Sequence, residues 1–307
     1  MNRRTFESAL TEAGVGRILL NESMTRHTTW RIGGPADYFV LPSTVEELSR
    51  AVRLAGQFGV PWTVIGRGSN LLVQDGGLRG LVIKLHDQFS EVSVSGSRLT
   101  ALAGRSIVSL AGLAVRDSLG GLEFATGIPG SVGGAVMMNA GAHGSEISRV
   151  LDWADVMDGS GEVRRWMSSD LAFAYRYSRL KDEPGIVVRA QFQLEPADKQ
   201  DMANQIKAWS RRRAATQPLS LPNCGSVFRN PANAHAAELI EMAGLKGLCC
   251  GDAQISDKHA NFVVNRGAAR ASDVLWLIHH AQEVVRERFG LELETEVRII
   301  GETEKGG

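Results

Sequence analysis

The stretch "VIGRGSNLLVQDGG", residues 64–77, decides how this chain is read. The apolar run Trp62–Ile65 breaks into Gly66-Arg67-Gly68-Ser69-Asn70 and turns apolar again at Leu71. A βαβ dinucleotide fingerprint needs a third glycine at position 71, where a helix packs tightly on its strand, and a helix N-terminus facing the pyrophosphate. Leu71 stands there instead, and Leu71-Leu72-Val73 followed by Asp75-Gly76-Gly77 reads as a short apolar segment and a turn. Glycines still let backbone N–H groups come close to an anion. The stretch permits an anion site but not a βαβ one, and taken alone it reads best as an ordinary glycine-rich turn.

Working outward, Ser43 and Glu46 suggest a capping box, and Val45, Leu48, Val52 and Ala55 recur at helical spacing until Gly59-Val60-Pro61. Strands are expected at 81–85, 92–94 and 99–103, then a helix over 106–119 closed by Gly120-Gly121. The run "ATGIPGSVGGAVMMNAGAHG", 125–144, is too rich in glycine for an ordinary core element over most of its length, which implies close backbone approach to something. Strands return at 150–157, 162–166 and 186–194, and Pro196 marks a boundary. Beyond it lie helices at 198–215, Ala236–Met242 and 272–289, with strands at 261–265 and 295–300. Val274, Leu277, Ile278, Ala281, Val284 and Val285 make one core-facing stripe on the last helix. The pattern is α+β in two domains.

With 307 residues and 43% hydrophobic content, the chain can bury a sizeable core. Lys plus Arg and Asp plus Glu both number 34, so no excess charge draws it to nucleic acid or an anionic membrane. Glu7 and Glu12 interrupt the N-terminal apolar residues, which argues against a signal peptide, and the apolar stretch 107–115 is too short to span a bilayer. A cytoplasmic protein is expected; the oligomeric state is not legible in the sequence, a monomer being slightly favoured. Three cysteines, Cys224, Cys249 and Cys250, give no CxxC pair, hence neither a disulfide framework nor a metal site, and Cys249-Cys250 reads as small apolar filling.

Seven motifs in order carry a resemblance: "TTWRIGGPAD" (28–37), "GRGSNLLVQDGG" (66–77), "GIPGSVGGAVMMNAGAHG" (127–144), "YRYS" (175–178), "GSVFRNP" (225–231), "DKHANFVVN" (257–265) and "ETEVRIIGE" (294–302). Together they resemble the UDP-N-acetylenolpyruvoylglucosamine reductase family, flavoenzymes that make UDP-N-acetylmuramate for bacterial peptidoglycan. The resemblance implies an N-terminal helical segment (1–25), a two-part FAD-binding domain of the vanillyl-alcohol-oxidase (PCMH) type (26–195) and a smaller α+β domain for the UDP-sugar (196–307). It implies noncovalent FAD, because the phosphate loop lacks the tethering histidine of covalent relatives on this fold and the nearest downstream is His86. NADPH would be the co-substrate and UDP-N-acetylglucosamine enolpyruvate the small-molecule substrate. Gly66, Arg67, Gly68, Ser69 and Asn70 would cradle the pyrophosphate; Ile128, Pro129, Gly130, Ser131, Gly133 and Gly134 would lie along the flavin. From "AYRYSRLKDEPG" the chain passes almost directly into the strand at 186, without room for the inserted tyrosine-bearing segment of longer members, so it resembles the shorter class. His143 stands where an aromatic residue is common.

The implied reaction adds hydride to the terminal carbon of an enol ether and moves electron density onto the neighbouring carbon and its carboxylate. Positive charge is then needed at the carboxylate and a proton donor at the carbon. By resemblance, Arg176 would hold the carboxylate with its planar fork, Glu296 would share a proton there, and Ser226 would protonate the carbon. Asn230, Lys246 and Arg298 match positions near the UDP or its sugar. Apart from the resemblance each catalytic residue has a plainer reading: Ser226 a turn residue, Arg176 a strand-surface cation, Glu296 and Arg298 an exposed ion pair. Arg211-Arg212-Arg213 points in several directions on one helix and reads as a mainly solvated cluster. The rival functions are another flavin oxidase on the same fold and a non-catalytic nucleotide-binding module. The nucleotide-binding module would need the glycine loops but not Arg176, Ser226 and Glu296, and covalent members of the oxidase group carry a phosphate-loop histidine that this chain lacks.

Overall fold

The computed structural model describes residues 3–183 and 185–304. These fall into two compact units: one takes the chain up to Leu20 with 38–67 and 80–211, the other 21–37, 68–79 and the chain from 212 onward.

The first unit is built on a five-stranded antiparallel sheet, ordered Val163–Met167, Leu151–Met157, Ile186–Gln193, Arg98–Leu102, Val92–Ser95. Burial alternates along Arg98–Leu102 and at 189–193, where Leu99, Ala101, Ala190 and Phe192 face the core, whereas 153–157 is buried at every position. Helices α1 (Arg3–Ala13), α2 (Val45–Gln57), α3 (Ile107–Arg116) and the short α4 (Val132–Met137) belong to this unit. The strand Trp62–Ile65 pairs in parallel with 81–84, so the glycine-rich loop leaves the C-terminal end of a parallel strand. Phe6 of α1 meets Tyr38 edge-on, centroids 5.0 Å apart, and fixes α1 to this core.

In the second unit a three-stranded antiparallel sheet, Cys249–Cys250, Ala253–Ile255 and Val263–Asn265, packs with α6 (Ala236–Met242) and α7 (Ala271–Phe289). The expected α7 stripe is buried at Val274, Leu277, Ile278, Ala281 and Val285. The segments 21–37 and 68–79 join this unit through specific bonds. Trp30, fully buried, donates from Nε1 to Val263 O (2.7 Å), and Asn265 Nδ2 donates back to Trp30 O (3.0 Å). Leu71–Val73 pairs in parallel with Arg298–Ile300. Asp75 reaches the start of α7, its carboxylate accepting from the N–H groups of Ala271 (2.8 Å) and Ser272 (3.0 Å). That places a negative charge where a helix N-terminus is positive, and supplies the cap from almost two hundred residues upstream.

Local expectations needed several corrections. Thr44, not Ser43, caps α2: its hydroxyl accepts from Glu47 N, while Glu47 accepts from Ser43 N (2.6 Å). α3 stops at Arg116 because Ser118 takes a left-handed backbone (φ 58°) and Leu119–Gly120 pairs with Glu195–Pro196. The glycine-rich run contains α4, which buries Val132, Ala135 and Val136. The C-terminal strand starts at Arg298, so Glu296 precedes it rather than sharing its face. Cys249 is exposed and only Cys250 packs partly on the core.

Candidate active site

In the first unit Gly66 ends its strand against Ser131: a Cβ on Gly66 would collide with the serine hydroxyl. The 128–134 run is clasped to 103–107 by Ile107 N to Gly130 O (3.1 Å), Val132 N to Arg105 O (2.8 Å) and Gly133 N to Ala103 O (2.9 Å). Ser131, buried, caps α4 by accepting from Gly134 N (3.3 Å), and a Cβ on Gly133 would sit 2.9 Å from Ala103 Cβ. Gly66, Gly130, Ser131 and Gly133 thus meet around one bare stretch of backbone, whereas Pro129 and Gly134 are exposed.

Cations lie beside this stretch. Arg67 pairs with Asp87 at 3.0 Å. Lys84 is held below the usual lysine range, first by burial and then by the nearby Arg67 charge; His86 is lowered by burial and then by Lys84. At both groups burial and neighbouring positive charge outweigh the opposing pull of Asp87. Arg105 Nε and His86 Nε2 are buried with no hydrogen-bond partner among the described residues. Buried donors of this kind call for an acceptor. Bare glycine backbone, a cationic surround and unsatisfied donors fit the pyrophosphate of a dinucleotide.

Arg176 sits at the tip of a tight turn closed by Ala174 N to Tyr177 O (3.1 Å) and Tyr177 N to Ala174 O (3.0 Å). Its backbone is left-handed, φ 55°, a conformation that costs a non-glycine residue about 1–3 kcal/mol and persists only where the surroundings hold it. Nη2 donates to Gly141 O at 2.9 Å, and the guanidinium lies 4.9 Å from the Tyr175 ring centre. His143 packs flat on Trp209 of α5 (Lys199–Thr216).

In the second unit Gly68 (φ 67°) is pressed on His27 and Thr28, where a Cβ would lie 2.8 Å from Thr28 Cα. Asn70 and Glu296 are directly joined: Asn70 Nδ2 donates to Glu296 O (3.1 Å) and Arg298 N to Asn70 O (3.0 Å). Glu296 N in turn donates to Val227 O (2.8 Å), so the Ser226 and Glu296 segments run side by side. Buried Asn261, part of the "DKHANFVVN" motif but given no role by it, clasps the same place, accepting from Phe228 N (2.9 Å) and donating to Phe228 O (2.8 Å). Burial drives the Cys224 thiol well above its ordinary range, and the Glu296 charge adds to this. Gly225, at φ 82°, turns the chain just before Ser226.

The residues matched to the UDP-sugar have visible structural duties. Asn230 Oδ1 accepts from Ala236 N (3.1 Å) at the head of α6. Lys246 pairs with Glu241 at 2.9 Å, and its charge helps burial hold His259 low. Arg298 begins the strand beside Leu71. Of the arginine run, Arg211 and Arg212 are exposed, while Arg213 is half-buried and donates to Gln217 (2.8 Å). Among the described residues no cluster of metal-binding side chains occurs, and no helix is long and apolar enough to cross a membrane.

Residues 36–166 match an FAD-binding domain family and 217–300 match the UDP-N-acetylenolpyruvoylglucosamine reductase C-terminal domain family. The chain is 50% identical over 288 residues to the UDP-N-acetylenolpyruvoylglucosamine reductase of Halalkalibacterium halodurans, covering 94% of this chain and 96% of that one. It is 47% identical over 293 residues to the Bacillus subtilis protein of the same name, covering 95% and 97%. The crystal structure of the Thermus caldophilus reductase superposes with a TM-score of 0.80 at 37% identity, covering 92% of this chain and 98% of that one. This is the α+β fold expected from the motifs, with an FAD-binding domain followed by the reductase C-terminal domain. Matches of this extent, over both domains, place the chain in the UDP-N-acetylenolpyruvoylglucosamine reductase family of flavin-dependent oxidoreductases.

Proposed function

We propose that the chain reduces UDP-N-acetylglucosamine enolpyruvate to UDP-N-acetylmuramate in the cytoplasm, with NADPH as electron source and noncovalently held FAD. The observation that carries the assignment is the backbone bond from Glu296 N to Val227 O, which sets the candidate proton donor and the candidate carboxylate on adjoining segments. FAD, when bound, supplies the two-electron chemistry. Gly66, Arg67, Gly68, Ser69 and Asn70 hold its pyrophosphate, and Ile128, Pro129, Gly130, Ser131, Gly133 and Gly134 support its ring.

Arg176 offers a planar, permanently charged fork to the substrate carboxylate and stabilises the charge that develops there. Glu296 shares a proton with that carboxylate, since two bare carboxylates so close would not both stay ionised. Ser226 gives its proton to the carbon; a hydroxyl is a weak acid, but a developing carbanion is basic enough to take it. Asn230, Lys246 and Arg298 serve the UDP-sugar.

One experiment tests the whole reading. Purified protein should be yellow, NADPH should bleach it without oxygen, and the enolpyruvyl substrate should restore the colour. A bleached protein that the substrate leaves colourless would remove the assignment.

A further inference from the structure

We propose that Asn139 is a positioning residue for Arg176, its side-chain amide setting the turn from which the guanidinium projects. The inference rests on the reading of Arg176 as the cation for the substrate carboxylate.

Asn139 is fully buried and uses both ends of its amide. Nδ2 donates to Ala174 O (3.0 Å), and Oδ1 accepts from Ser148 N (2.9 Å). A carbonyl on one side and an N–H on the other leave a single orientation that satisfies both. The Ala174 carbonyl also accepts the Tyr177 N–H that closes the turn, so Asn139 grips the turn at its hinge, two residues before Arg176. Two further bonds run between the same segments: Ser178 Oγ to Met137 O (2.6 Å) and Arg176 Nη2 to Gly141 O (2.9 Å). Of these three bonds, the one from Asn139 enters the turn ahead of Arg176.

The backbone supplies a second reason. Arg176 (φ 55°), Asn139 (φ 42°) and His143 (φ 55°) are all left-handed without being glycine. Such residues persist where their surroundings over-determine them, and they cluster at functional sites. Ala174 and Tyr175 are exposed, so the leading arm of the turn takes little of its geometry from core packing. The amide of Asn139 supplies what packing does not.

The test uses the flavin-loaded enzyme. Asn139→Gly keeps the backbone at its φ without steric cost and removes only the amide. Asn139→Asp keeps the acceptor for Ser148 and loses the donor to Ala174. Both should lower kcat/KM for the enolpyruvyl substrate by roughly 10- to 100-fold, the scale of a misplaced binding group. Flavin reduction by NADPH should keep its rate. In an Arg176→Gln background neither substitution should cause further loss, because residues acting through one another are not additive. Losses that multiply in the double variants, or a reductive step that falls in parallel, would overturn the inference while leaving Arg176 its role. If Arg176→Gln alone kept wild-type kcat/KM, the reading of Arg176 would fall and this inference with it.

Discussion

His143 lies flat against Trp209, ring centroids 4.3 Å apart and planes within 4° of parallel. An imidazole thus takes the place of an expected aromatic ring by stacking on half-buried Trp209 of α5, a helix on which Met202 is the buried side chain among the described residues. Trp209→Ala should lower the urea midpoint by the equivalent of about 1–3 kcal/mol, combining lost burial with the roughly 0.5–1.5 kcal/mol of an aromatic pair. Trp209→Phe should recover most of it. Equal losses for the two variants would show that the stack contributes nothing.

Asp155 is buried between Arg165 (2.9 Å) and Arg189 (2.6 Å) on the five-stranded sheet. Burial alone would raise its pKa, but the hydrogen bonds and charges of the two arginines outweigh burial and the net shift is downward. A depressed carboxylate stabilises the fold fully above its unfolded pKa, about 3.9, and loses that contribution as pH falls through the lower folded value. Asp155→Asn should therefore cost stability at pH 7, about 1–3 kcal/mol given that both arginines are half-exposed. The gap to wild type should narrow below about pH 4. Urea titrations from pH 7 to pH 3 check this, and a gap that widens on acidification would contradict it.

Glu296→Gln should slow turnover of the enolpyruvyl substrate and leave the fold intact. The residue is tied to Val227 and Asn70 through its backbone, which the substitution leaves unchanged, while an amide cannot share the proton. Circular dichroism and steady-state rates decide it; an unchanged turnover number would return Glu296 to a surface role.

Ser226→Ala separates the two half-reactions. NADPH reduces the flavin without a proton donor at a substrate carbon, so that step should hold its rate in stopped flow. Reoxidation by the enolpyruvyl substrate should fall by roughly 10²- to 10⁴-fold, as for a lost general acid. Wild-type speed in the oxidative step would remove Ser226 as the donor.

Acid precipitation should release all the yellow colour into the supernatant. His86, the nearest downstream histidine, has Nε2 buried and Nδ1 accepting from Gln88 N (3.4 Å). Colour retained in the pellet would establish a covalent flavin.

The sequence by itself determined what is local or what must be a particular residue. The α7 stripe, the strand before Gly66 and the glycines at 66, 68, 130 and 133 are legible because periodicity and missing side chains act over a few residues. Ser226, Arg176 and Glu296 could be named from their motifs, but nothing in their spacing separated them from a turn residue or surface charges. Tertiary structure alone decided that Leu71–Val73 lies parallel to Arg298–Ile300, that Asp75 caps α7, and that Asn139 and Asn261 clasp the turn segments. It also ended α3 at Arg116 and moved the α2 cap to Thr44. Each of these is a hydrogen bond or a backbone dihedral settled by a neighbour, in most cases one distant along the chain. An asparagine looks the same in sequence whether it faces solvent or two backbone groups, and only packing removes the water that would otherwise satisfy it.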